Sequence, residues 1–132
     1  MAAYLWIAVG SALGGIARFW CSGAAARLVG ETFPWGTILV NVVGCFIIGF
    51  FATLAGPDGR VFADTLTRQF VMIGFLGGYT TFSSFSLQTL NLAQGGEWWL
   101  AGANIALSVI ACLLAVCVGY ALASSINALK WI

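Results

Sequence analysis

The sequence predicts an all-α membrane protein with four spanning helices. Three observations carry that prediction. Of 132 residues, 61% are hydrophobic and only 7% charged, the mean hydropathy is +1.01, and long apolar stretches run over about 3–29, 36–55, 68–94 and 98–126. A soluble domain carries about 25% charged residues, so this chain cannot cover a water-facing surface. Each stretch reaches the about 20 residues a helix needs to cross hydrocarbon. The breaks are short and hold most of the charges and both prolines: 30–35 with Glu31 and Pro34, 56–67 with Pro57, Asp58, Arg60 and Asp64, and 95–97 with Glu97. No extramembrane domain fits between them. Residues 1–132 read as a single transmembrane domain that acts within or across a bilayer.

Composition also excludes functions. A net charge of +1 provides no clustered basic face for nucleic acid. The N-terminus lacks the basic start and small-residue cleavage site of a secretory signal, so the first apolar stretch is expected to stay in the protein. Cys21, Cys45, Cys112 and Cys117 all lie in apolar runs, none in a C-x-x-C pair, and histidine is absent. Neither a zinc or haem site nor a disulfide framework is indicated, and the thiols read as small packing hydrophobes. No carboxylate pair, nucleophile–base set or phosphate loop points to an enzyme. All four acidic residues, Glu31, Asp58, Asp64 and Glu97, fall in loops or at their edges. A proton-coupled transporter needs an ionisable group inside the membrane, which disfavours a small drug/proton antiporter. A non-conducting assembly subunit stays open as the alternative.

The first helix carries Gly10 and Gly14, the last Ala115 and Gly119. Small residues four apart let helix backbones approach where lipid supplies no hydrophobic drive. Arg18 stands about 21 Å along a helix that starts near Tyr4, at 1.5 Å per residue. Its side chain either snorkels and anchors packing or stands at the mouth of an anion path. Four helices put the N-terminus, second loop and C-terminus on one side, with Arg60, Arg68 and Lys130 there against Arg27 opposite. So slight a bias is compatible with insertion in both orientations and also with a single one.

The third stretch raises the functional question, in "GFLGGYTTFSSFS" from Gly74 to Ser86. Gly77-Gly78 sits near its centre. Two glycines invite an unwound turn, each costing about 1 kcal/mol of helix propensity, or else allow close packing. Irregular backbone at membrane depth survives only against protein, water or an ion, and broken helices near the midplane recur at ion sites. Phe82 and Phe85 share a helix face, flanked by stripes of Ser83 with Ser86 and Thr81 with Ser84. Hydroxyls donate hydrogen bonds without formal charge, and aromatic edges are electropositive. Together they can replace part of an anion's hydration without the deep trap of a buried Lys or Arg, as conduction requires. The bland reading has the hydroxyls bonding their own helix and the rings packing between helices. Asn41 of the second helix, and Asn104 and Ser108 of the fourth, are further uncharged polar candidates. An Asn in a membrane helix can also simply link helices.

With "PWGTILVNVVG" and "GGIARFW" upstream, this string resembles the Fluc (CrcB) fluoride channels, and the likeness runs over essentially the whole chain. The resemblance implies a dual-topology antiparallel homodimer in the plasma membrane (the bacterial inner membrane). Its two fluoride pores would export fluoride passively and so reduce cytoplasmic fluoride toxicity. It implies a third helix broken at Gly77-Gly78, with the carbonyls of Gly77 and Thr80 from both subunits holding a structural, untransported Na+. The pore residues it implies are Phe82, Phe85 and Asn41, with a hydroxyl track of Thr81, Ser83 or Ser84, and Ser108, and with Arg18 as the first-helix arginine. Gln88 stands where many members carry an acidic residue, and Cys112 where several have serine.

Overall fold

A computed structural model describes residues 1–129; Lys130, counted in the charge bias, lies outside the described residues. Helix α1 (Ala2–Val29) is followed by α2 (Trp35–Leu54). The third span, Thr65–Gln94, is assembled from α3 (Thr65–Arg68), a π-helical segment (Gln69–Phe75), α4 (Leu76–Tyr79) and α5 (Phe82–Gln94), and α6 (Trp98–Ala128) completes the chain. Among the described residues, four helical spans are long and apolar enough to cross a membrane. The third starts at Thr65, before the apolar run itself, because Asp64 caps it and accepts the Thr67 N–H at 2.9 Å. Hydrogen bonding from Thr67, side chain first and backbone second, holds the Asp64 carboxyl below the usual aspartate range.

The interruption of the third span does not fall at Gly77-Gly78. Both glycines are helical within α4, and the backbone opens at Thr80 (φ -88, ψ 159) and Thr81 (φ -153, ψ 112). Gly78 serves close packing instead, since a Cβ there would come within 2.9 Å of the Ser11 Cα on α1. Gly77 is roomier, with the Met72 carbonyl 4.0 Å from its would-be Cβ. Thr81 makes the better breakpoint because its side chain caps α5, accepting the Ser84 N–H at 3.2 Å, as N-cap threonines do.

The break also changes the neighbours of the span. Its first half packs on α1, where Gly10 and Gly14 meet the backbone of Phe70, Phe75 and Tyr79, and its second half, α5, packs on α6. The most extensive contact joins α2 to α6, which run in the same direction, Gly49 against Val116 and Gly119 against Phe46 and Phe50. Among the described residues the buried polar side chains are Thr37, Thr81, Asn104 and Ser108, while Leu13, Ile16, Ile110 and Leu113 face outward. That inversion of the soluble pattern is what lipid outside and polar contacts inside demand.

Candidate functional site

The freed backbone at the break is satisfied from two other helices. Asn41 of α2 donates through Nδ2 to the Thr81 carbonyl at 3.0 Å, and its Oδ1 accepts the Thr81 N–H at 2.7 Å. The Thr80 carbonyl accepts from the Arg18 guanidinium of α1 at 3.3 Å. Thr80 itself turns back, its N–H and hydroxyl donating to the Leu76 carbonyl at 3.0 and 2.9 Å. Gly77 is among the helical acceptors that lose their donor here. The Thr81 N–H that would close the next turn onto the Gly77 carbonyl goes to Asn41 instead.

Two cavities meet at this point. One of about 420 Å³ is lined by Asn41, Gly77, Thr80, Phe82, Phe85 and Ser108. A second, of about 840 Å³, is lined by Arg18, Glu31, Thr37, Ser84 and Gln88. Thr81 lines both. Residues that were candidates on pattern alone are therefore brought together around one cavity, with Arg18 and Ser84 on the far side of Thr81. Ser83 lines neither, but its hydroxyl lies 3.3 Å from that of Thr81.

The hydroxyls form a short relay. Thr81 Oγ1 donates to Ser84 Oγ at 3.0 Å, so the Ser84 proton is left for another acceptor. Ser108 donates to Asn104 Oδ1 at 3.3 Å, while Asn104 Nδ2 donates to Thr89 Oγ1 at 2.8 Å and Thr89 to the Phe85 carbonyl at 2.8 Å. Asn104 thus links α6 to α5, which leaves it 1% exposed. The rings of Phe82 and Phe85 are 5.1 Å apart and tilted by 54°, with Phe85 only 8% exposed and Phe82 76%. Arg18 donates to the Thr80 carbonyl and places a positive charge on the lining of the larger cavity. The Gln88 Oε1 is buried without a hydrogen-bond partner.

Pattern missed Thr89, Gly44 and Cys45. A Cβ at Gly44 would collide with the Thr80 methyl, and the three-residue step from Asn41 to Gly44 was the signal that both face the break. Among the described residues no group of three or more His, Cys, Asp or Glu could hold a metal ion.

A family model described as "CrcB-like protein, Camphor Resistance (CrcB)" matches residues 5–120. The chain is 60% identical over 127 residues, 96% of its length and 97% of the relative's, to a Methylocella silvestris protein named fluoride-specific ion channel FluC. Proteins of the same name from Opitutus terrae and Rhodospirillum rubrum are 58% and 56% identical, over 98% and 94% of this chain and 98% and 96% of their own.

Proposed function

We propose, from the premise that this chain belongs to the CrcB family, that it is a fluoride-selective channel of the bacterial inner membrane through which accumulated fluoride leaves the cell passively. One observation carries the reading: Thr81 stands between two cavities whose polar lining is almost wholly uncharged, apart from Arg18 and Glu31 on the larger one. An anion drawn by the Arg18 charge would meet the free Ser84 proton and the second N–H of Asn41 Nδ2. It would then meet the electropositive ring edges of Phe82 and Phe85. None of these groups carries a charge, so each binds weakly enough to release the ion again. Thr81, Ser83, Ser84 and Ser108 form the hydroxyl side of that path. Ser108 gives its own proton to Asn104, so it turns a lone pair outward unless the hydroxyl rotates.

The functional unit in this proposal is a homodimer of antiparallel chains. Phe82, at 76% exposed beside a cavity, supports a covering second copy. A structural Na+ would be held by the carbonyls of Gly77 and Thr80 from both chains. The Gly77 carbonyl fits, since its helical donor is diverted to Asn41. The Thr80 carbonyl already accepts from Arg18 and would have to use its second lone pair. Hard cations are held by several oxygens at once, so the two carbonyls of one chain are too few and a second copy would bring the number to about four. A bound cation would raise the local potential for an anion. Anion efflux from liposomes loaded with fluoride or with chloride tests the function. Equal rates for the two ions, or no flux from correctly inserted protein, would overturn it.

A further inference from the structure

The α2–α6 contact is tight enough to forbid side chains at its centre: a Cβ at Gly49 would collide with the Val116 carbonyl, and one at Gly119 with that of Phe46. Four residues before Gly49 stands Cys45, and four residues before Val116 stands Cys112. Four residues is about one helical turn, and the two helices run in the same direction, so the register that joins Gly49 to Val116 also joins the two cysteines. Both are free thiols of intermediate exposure, and both line the 420 Å³ cavity.

The geometry points to Cys45 and Cys112 as a two-thiol site for a soft divalent d¹⁰ cation, with mercury(II) as the probe. Thiolate is a soft ligand and selects soft metals. Two ligands suit linear coordination, whereas a structural zinc site takes four, and no third His, Cys, Asp or Glu is within reach among the described residues. Charge selects the divalent ion. Two thiols lose two protons as two S–Hg bonds form, with nothing oxidised or reduced, and the product is neutral. A neutral product suits a cavity whose wall here includes Ile48, Val109 and Leu113, where an uncompensated charge would be costly. Cys21 stands on α1 rather than at the α2–α6 contact, and Cys117 is exposed. The bound ion would sit one turn from Asn41 and from Ser108, which makes block of the anion path a consequence that rests on the proposed function.

The test uses the full chain carrying C21A and C117A, titrated with mercury(II) in detergent against a competing monothiol. The sulfur-to-mercury charge-transfer band and the count of free thiols are the readouts. One mercury per chain with both thiols lost is expected, and adding C45A or C112A should weaken binding by about 100-fold, the gain of a linked second ligand. C45S and C112S should do the same, which guards against a packing defect of the alanine variants. Two mercuries per chain, or equal affinity in the single-thiol variants, overturns the site. In liposomes, efflux that survives saturation at one mercury per chain overturns its placement on the path. Absence of efflux before mercury is added would count against the fluoride reading alone, because the binding measurement needs no flux.

Discussion

Asn41 and Thr81, forty residues apart in the chain, exchange two hydrogen bonds between a side-chain amide and a backbone N–H and carbonyl, at 3.0 and 2.7 Å. This pair closes the polar backbone that the break in the third span would leave bare. Asn41→Leu removes both bonds, and each backbone group stranded in a buried setting costs about 1–3 kcal/mol. The variant should unfold at markedly lower temperature in detergent and lose fluoride efflux. A melting point equal to that of the parent would show that the break is held by something else.

The two phenylalanines should separate folding from conduction. Phe85→Ala empties a buried position and should cost about 3 kcal/mol, whereas Phe82→Ala, at a residue 76% exposed in the single chain, should leave the fold of that chain intact and act on the contact with a second copy. The gentler Phe82→Ile and Phe85→Ile should both slow fluoride efflux while leaving the protein folded. Unchanged flux in both isoleucine variants counts against their place on the path.

The glycine pair is unequal. Gly78→Ala drives a methyl against the Ser11 backbone, while Gly77→Ala meets nothing closer than 4.0 Å among the described residues. Gly78→Ala should therefore be the more damaging to yield and thermal stability in detergent. The reverse order would mean that another chain covers Gly77.

The start of the third span should be sensitive to acid. The folded Asp64 carboxyl titrates below its ordinary value of 3.8 because Thr67 bonds the ionised form. Its stabilising effect is thus complete above that value and is lost as pH falls through the lowered one. Hydrogen exchange at the Thr67 amide should speed up over that window in the parent. In Asp64→Asn, which caps without charge, the exchange should lack that extra acid response. Identical pH profiles for parent and variant would refute the role of the carboxylate.

Composition and spacing were enough to place four spans and to single out Asn41, Thr81, Phe82, Phe85 and Ser108, because hydropathy and helical period are local properties. Helix ends were less legible. Asp64 starts the third span before its apolar run does, through one capping bond. The position of the break was not legible at all. Two glycines looked like the weak point on propensity, yet Gly78 is used to admit the backbone of α1. The chain opens instead at Thr80 and Thr81, where Arg18 and Asn41, from 62 and 40 residues away, take up the freed groups. The sequence by itself determined which residues are polar in an apolar chain and on which helix each stands. Only the tertiary structure decided which of them meet, because a carbonyl released inside a membrane can open only where another helix brings a donor to it.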